Sequence, residues 1–361
     1  MPKKTPSVSS WDEFGMNNLK SPIVETPCAS SERFIILGIE TSCDDTGVAL
    51  VKNGEKILSN VVSSQIKIHS EYGGVVPELA SRSHLENIYI VVDEALKQAK
   101  LLLKDIDGVA VTYGPGLVGS ILIGIEAAKA IAYVHKKPLI GVNHLEGHIF
   151  STLLEGRKPE FPFLSLIVSG GHTELVMVKG FGKYTIIGKT RDDAVGEAFD
   201  KVAKLLDLGY PGGPKVEKLA KISEKRIKFP EAVMKDGSFD FSFSGLKTAV
   251  LSCKNADKNI DSNDLCAGFQ DAVIAALLNK TIAVAAKYKI KRVVLGGGVV
   301  ANSTIRGEFI KRGKREGIEI FFPSMPLCTD NGAMIAVAGY FKFLKKEYSG
   351  YVLNADPGLS L

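Results

Sequence analysis

The sequence predicts an α/β protein with mixed sheets, arranged as two lobes. Three observations carry this. Short apolar runs suited to strands alternate with helical patterns along the chain. At 361 residues it is too long for one small core and suits two lobes of ordinary size. Each half also opens with a similar unit of apolar strand, small polar turn with Thr and apolar strand, a faint internal repeat.

Taken in order, Phe34-Ile35-Ile36-Leu37-Gly38-Ile39 is a continuous apolar run that reads as a buried strand. Glu40 to Gly47 follows as a polar turn, and Val48-Ala49-Leu50-Val51 returns as the second arm of a hairpin. Spacing from Leu85 to Leu103 predicts a helix. Gly108 to Thr112 reads as a short strand closed by Gly114-Pro115-Gly116, and residues 117–134 as an Ala- and Ile-rich buried helix. The second hairpin runs from Phe163 to Val168, turns at Ser169-Gly170-Gly171-His172-Thr173 and returns over Glu174 to Val178. Arg292 to Leu295 is a strand leading through Gly296-Gly297-Gly298 to a helix from Asn302 to Gly313. A glycine turn at a helix start is a ready anion site. Phe239, Phe241 and Phe243 alternate with polar residues, and core packing is their expected role.

Composition is that of a globular chain, with 45% hydrophobic and 24% charged residues. Its 36 glycines exceed the usual share and point to tight loops where backbone approaches a ligand. A net charge of +5 permits an RNA partner without arguing for one. Five dispersed cysteines with no CxxC pair fit free thiols in a reducing compartment. No stretch approaches the roughly 20 apolar residues of a membrane span. Residues 1–33 lack an apolar signal core and mix acids with bases, so a disordered extension on a cytoplasmic protein is expected.

The sharpest chemical signal is His144-Leu145-Glu146-Gly147-His148. Two histidines at i and i+4 share a helix face and can meet one metal. Asp330, in the polar turn Cys328-Thr329-Asp330-Asn331-Gly332, is the candidate third ligand. Two His and a carboxylate leave open positions for oxygen ligands, which suits Fe(2+), with Zn(2+) also accommodated. A zinc protease would place a Glu directly after the first His. Glu146 instead lies roughly 200° around the helix from His144 and cannot act as that base. Three glycine loops, Ser169-Gly170-Gly171, Pro211-Gly212-Gly213-Pro214 and Gly296-Gly297-Gly298, suggest a nucleotide. Neither a Walker sequence nor a GxGxxG is read in the chain, and neither P-loop nor Rossmann chemistry is expected. Acids stand beside these loops: Asp44 and Asp45 in the first hairpin turn, Glu197 and Asp200 in a helical stretch. Each could hold a cation or a ribose hydroxyl, or simply serve a turn or helix cap.

Nine segments occur together in order. They are Gly38 to Thr46, Tyr72-Gly73-Gly74-Val75-Val76-Pro77-Glu78-Leu79-Ala80, Gly114-Pro115-Gly116, His144 to His148, Val168-Ser169-Gly170-Gly171-His172-Thr173, Gly196-Glu197-Ala198-Phe199-Asp200-Lys201, Pro211-Gly212-Gly213-Pro214, Gly296 to Asn302 and Thr329-Asp330-Asn331. In this they resemble the tRNA N6-adenosine threonylcarbamoyltransferase family of the bacterial TsaD type, over about residues 35 to 340.

The resemblance implies a duplicated two-lobe ASKHA fold, that of actin, hexokinase and Hsp70, with nucleotide and metal in the interlobe cleft. The lobes would be residues 34–145 with 331–361, and residues 146–330. It implies transfer of a threonylcarbamoyl group from threonylcarbamoyl-AMP to N6 of adenosine 37 in tRNAs reading codons that start with A. His144, His148 and Asp330 would bind one divalent metal. Ile167, Val168, Ser169, Gly170, Gly171, Asp200, Gly213, Glu217 and Asn302 would meet the adenine nucleotide, and Asp44 and Asp45 would face the reacting group. Glu217 stands where many members carry Asp, and Asp45 where Glu is frequent. Partners implied are an inert ASKHA paralogue and a small ATPase, or a second copy in a homodimer. A metal-dependent glycoprotease, a non-catalytic ASKHA subunit and a sugar kinase are the alternatives.

Overall fold

The computed structural model describes residues 33–230, 234 and 236–361. The expected disordered extension lies outside the described residues apart from Arg33.

Two five-stranded sheets share one topology. In the first, β1 (Ile35–Glu40), β2 (Asp45–Lys52) and β3 (Lys56–Ser64) are antiparallel. After α1 (Ile66–Ser70) and α2 (Pro77–Ala99), β4 (Gly108–Gly114) adds parallel to β1. Helix α3 (Val118–His135) then leads to β5 (Leu139–Asn143), so the order is β3-β2-β1-β4-β5. Helix α4 (His144–Phe150) crosses to the second sheet. There β6 (Phe163–Val168), β7 (Thr173–Gly180) and β8 (Lys183–Lys189) form the antiparallel part. Four helices follow: α5 (Val195–Leu205), α6 (Gly212–Ile222), α7 (Ser244–Ala256) and α8 (Ser262–Lys287). Then β9 (Arg292–Gly296), α9 (Ser303–Glu316), β10 (Glu319–Phe321) and α10 (Gly332–Leu344) close the unit. The second order, β8-β7-β6-β9-β10, repeats the first strand for strand. The repeat visible in the two hairpins therefore extends to whole sheets.

Apart from Glu40 and Ser165 the central strands β1 and β6 carry no polar side chain, because each sheet is covered on both faces. Leu37 and Ile39 face α2 and α3, where Ile88, Val92, Ile121 and Ile125 meet them. Leu164, Leu166 and Leu295 face the opposite outer layer, with Phe199, Val216, Leu277 and Phe309. Between the sheets lies a third cluster, in which Ile36 and Ala110 meet Ile167 and Val294 around α4 and α10. The layers are thus helix, sheet, helix, sheet, helix, and the two-helix middle layer is where chemistry can be placed. Phe241 and Phe243 are fully buried and stacked, as their alternation suggested.

Helix α10 is pressed onto the first sheet through glycine. A Cβ on Gly38 would lie 2.2 Å from the carbonyl oxygen of Gly332 and 2.5 Å from the Ala336 nitrogen. That approach sets Asp330, just ahead of α10, near the end of β1. Gly38→Ala is expected to destabilise the fold by about 3 kcal/mol or more. The shift in denaturation midpoint would show it, and a shift under about 0.5 kcal/mol would contradict so close a packing.

Several expectations need correction. The first hairpin turn is shorter than expected: Asp45, Thr46 and Gly47 belong to β2, because the ladder runs to Glu40↔Gly47 and β3 extends it from Asp45↔Ser64. The edge strands β3 and β8 were not anticipated, their faces being largely polar. Helix α2 starts at Pro77, eight residues before Leu85, since Pro at the first turn supplies a preset φ. By length and composition α3 and α8 could each span a membrane, contrary to expectation, yet their apolar residues feed the core clusters. Finally, Gly114-Pro115-Gly116-Leu117-Val118-Gly119 does spell the GxGxxG spacing between a strand and a helix. Its glycines are filled from within: added Cβ atoms would meet Asp356 O at 2.0 Å, Ser42 O at 2.4 Å and Ser81 Oγ at 2.4 Å. It is a packing device, with no room for a dinucleotide.

Candidate metal centre and nucleotide loops

Asn143 ends β5 and starts α4, its side chain accepting from the Leu145 amide at 2.8 Å. All seven residues of α4 are buried. His144 and His148 stand one turn apart with ring centroids 4.6 Å from each other. Asp330 Oδ1 lies 3.2 Å from His148 Nε2 and 3.7 Å from His144 Nε2. Ligand atoms of all three fall within 4.8 Å of one another, the one such cluster among the described residues. Among the described residues neither buried ring nitrogen of His148 makes a directed hydrogen bond, Nε2 facing Asp330 only as an ionic contact. A buried imidazole nitrogen left so is costly unless a cation takes its lone pair, so the donor set fits a metal.

Glu40 completes the centre. It was expected in a polar turn but is the last residue of β1, fully buried. Its Oε2 lies 3.0 Å from His144 Nδ1 and accepts from Thr112 Oγ1 at 2.6 Å, while Oε1 accepts from the Ser42 amide. A carboxylate behind a histidine fixes the ring and leaves Nε2 for a metal. The signal that could have found it is a single acid closing a wholly apolar strand.

The charges act strongly on one another. Burial alone would depress His144, but Glu40 and Asp330 outweigh it and push the imidazole up to about 9. Burial likewise works against Asp330, yet His144 and His148 hold its carboxyl well below the usual range. Glu40 is held low against burial by His144. His172, in the β6–β7 turn, is pushed down to about 4 by burial and then by His144 and His148, so it stays neutral.

Asp44 sits in the β1–β2 turn and Asp45 opens β2. Burial raises both; for Asp45 the Ser64 hydroxyl opposes it, while Asp330, Asp44 and Glu40 add to it and bring the carboxyl to about 7. His84 of α2, not foreseen as a site residue, clamps this turn, with Nδ1 2.7 Å from Thr46 Oγ1 and Nε2 3.0 Å from Cys43 O.

The loops at 169–171 and 296–298 meet at the ends of β6 and β9, and the 211–214 loop lies against α5. A Cβ on Gly297 would meet Val168 O at 2.4 Å, and one on Gly196 would meet Gly170 Cα at 2.8 Å. Gly296 packs against the His148 carbonyl, which ties the loops to the metal centre. Gly170, Gly171 and Gly213 face open space, where an added Cβ meets nothing within 4 Å. The other candidates have structural duties. Ile167 and Val168 have buried side chains and offer only backbone. Ser169 Oγ accepts from the His172 amide at 3.1 Å. Asp200 accepts from the Gly212 amide at 2.7 Å and so caps α6. Glu217 accepts from the amide and hydroxyl of Ser303 and pairs with Lys221. Asn302 caps α9 through Thr304 and Ile305 and donates to Gln270 at 2.8 Å. Glu146 points away from the triad, as the helix geometry required.

Comparison with known proteins bears on the family and the fold. The family model described as tRNA N6-adenosine threonylcarbamoyltransferase matches residues 56–337. A curated relative of that name from Listeria welshimeri is 52% identical over 333 residues, covering 91% of this chain and 96% of the relative. One from Desulfitobacterium hafniense is 51% identical, covering 90% and 97%, and one from Clostridium perfringens 51%, covering 91% and 99%. Among solved structures, full-length HypF in its phosphate- and nucleotide-bound form superposes with a TM-score of 0.60 at 16% identity, over 88% of this chain and 56% of HypF. Component A of (R)-2-hydroxyglutaryl-CoA dehydratase from Acidaminococcus fermentans gives 0.53 at 17%, over 86% and 98%. These likenesses carry the fold, a two-lobe ASKHA architecture. With most of its length matched by the family model and by relatives more than half identical, the chain belongs to the tRNA N6-adenosine threonylcarbamoyltransferase family.

Proposed function

We propose that the chain moves the threonylcarbamoyl group of threonylcarbamoyl-AMP to N6 of adenosine 37 in tRNAs reading codons that start with A. The observation that carries this reading is the buried His144–His148–Asp330 cluster, contiguous with open glycine loops. In the reaction N6 attacks the carbamoyl carbon, the bond from that carbon to the AMP oxygen breaks, and AMP leaves with the electron pair. The N6 proton must go elsewhere.

His144, His148 and Asp330 would hold one divalent metal, Fe(2+) in preference to Zn(2+), which would polarise the carbamoyl carbonyl. Glu40 keeps the His144 ring oriented. Amides of Gly170 and Gly171 would receive the phosphate, the Ser169 amide being taken by the His172 carbonyl at 2.8 Å, and Gly213 leaves room for the nucleotide. Asp200, Glu217 and Asn302 shape the walls by capping α6 and α9, and Asn302 and Glu217 would turn to the ribose and base. Asp45, its carboxyl near 7, would take the N6 proton, with Asp44 beside it. An aromatic amine is a poor nucleophile, so most of the rate would come from holding N6 in line.

The lobes would be residues 34–145 with 331–361 and residues 146–330, because α10 packs on β1, β2 and β4 although it comes last. The setting would be cytoplasmic, with an inert ASKHA paralogue and a small ATPase as partners or a second copy of this chain in their place. Nucleoside mass spectrometry on unmodified tRNA incubated with threonylcarbamoyl-AMP, with and without partners, tests the reading. Threonylcarbamoyl-adenosine is the expected product; its absence under every partner condition would overturn it.

A further inference from the structure

Glu146 lies between the two metal-ligand histidines in sequence but on the far side of α4, and the site described above makes no use of it. It is buried to 5% exposure, a costly place for a carboxylate. Two groups from different layers meet it. Tyr184 of β8 donates its hydroxyl to Oε1 at 2.7 Å. Lys342 of α10 places its ammonium 2.9 Å from Oε2, an ionic contact whose angle is not that of a directed hydrogen bond. Each partner is itself anchored: the Tyr184 oxygen accepts from the Gly182 amide at 2.9 Å, and Lys342 donates to Gly141 O at 3.3 Å. A cavity of about 60 Å³ borders the group, lined also by Phe150, Phe181 and Phe341.

We propose that Glu146 is a positioning residue for the metal centre, acting as the rotational stop of α4. The helix is only seven residues long, and its own hydrogen bonds cannot fix its rotation about the axis. Glu146 sits opposite His144 and His148, so holding it from the second sheet and from α10 fixes the direction in which both imidazoles point. Asp330 is carried by the segment leading into α10, the helix that bears Lys342. The ion pair therefore ties the histidine-bearing and carboxylate-bearing elements to each other at a point away from the metal. The inference rests on the metal reading of the triad.

Titration of chelator-stripped protein with Co(2+), followed by its visible absorption, tests it on Glu146→Gln, Tyr184→Phe and a control, Lys345→Met. Lys345 lines the same cavity but reaches Phe181 O and not Glu146. Glu146→Gln is expected to weaken Co(2+) binding about tenfold to a hundredfold and to alter the absorption band, Tyr184→Phe to do so less, and the control not at all. Thermal melts of the metal-free proteins run alongside. Wild-type affinity and band shape in Glu146→Gln and Tyr184→Phe, whatever their melting temperatures, would overturn the positioning role and leave a structural ion pair. If Glu146→Gln fails to fold, Tyr184→Phe alone decides by the same criterion. No binding by the wild type would instead sink the metal reading.

Discussion

Asp330→Ala is expected to lose metal at least a hundredfold in affinity and to lower formation of threonylcarbamoyl-adenosine about a thousandfold. Among the described residues the carboxylate is the single acid facing both Nε2 atoms, at 3.2 and 3.7 Å, and no other carboxylate there can replace it. Its removal also relaxes His144, whose pKa near 9 depends on Glu40 and Asp330 together. The sign can be worked out. Between its ordinary value of about 6.5 and about 9, the folded chain holds a His144 proton that the unfolded chain has lost. The pairing thus stabilises the metal-free fold fully below about pH 6.5, and that stability is lost as pH rises through about 9. Metal binding has the opposite slope, because only a neutral imidazole can ligate. Affinity should tighten up to about tenfold per pH unit towards pH 9, with a proton released on binding. Calorimetry in two buffers of different ionisation enthalpy measures that proton. In Asp330→Ala the release should shrink at pH 8, and an affinity flat from pH 7 to 9 in the wild type would refute the assignment.

Much of this centre was legible because its parts are local. Two histidines at i and i+4 need only a helix to meet, and Asn143 supplies the cap that begins it. The hairpins could be read because a sheet covered on both faces demands unbroken apolar strands. Glu40 was not legible. Its partners Thr112 and His144 come from strands and helices far along the chain, so nothing near it marks the carboxylate as buried. His84 failed to show for the same reason, one histidine just ahead of the expected helix giving no hint that it grips residues 43 and 46. The Gly114–Gly119 spacing shows the reverse error: the motif exists, and packing decides that it is filled by Asp356, Ser42 and Ser81. Edge strands β3 and β8 escaped because a half-solvated strand alternates, and alternation over seven to nine polar-rich residues is also what a loop offers. Sequence carries contacts within a turn or a strand; of the two distant carboxylates it offered Asp330, marked by its polar turn ahead of an apolar helix, and not Glu40.

Asp45→Asn separates catalysis from stability, and it should move them in opposite directions. As the acceptor of the N6 proton, Asp45 must be ionised, so wild-type turnover should rise with pH through about 7 and then level off. A bound cation at the triad would draw that limb to lower pH. Asparagine keeps the shape but cannot take the proton, and a loss of about a hundredfold to ten-thousandfold with the limb abolished is expected. Stability follows from the same displacement. Burial, with Asp330, Asp44 and Glu40 adding to it, raises the folded carboxyl above its ordinary range. The folded chain then binds more protons than the unfolded one between about pH 4 and about 7, and stability falls as pH rises across that window. Above pH 7 the wild type carries a carboxylate that burial and its neighbours disfavour, and the asparagine does not. The variant should therefore melt higher at pH 8, by on the order of 2 kcal/mol of stability, with a gain that shrinks towards pH 5. Paired melts at the two pH values and a pH–rate profile make the comparison. Lost activity with no gain in stability at pH 8 would mean that the carboxylate is not ionised against its surroundings, and the proton would need another acceptor.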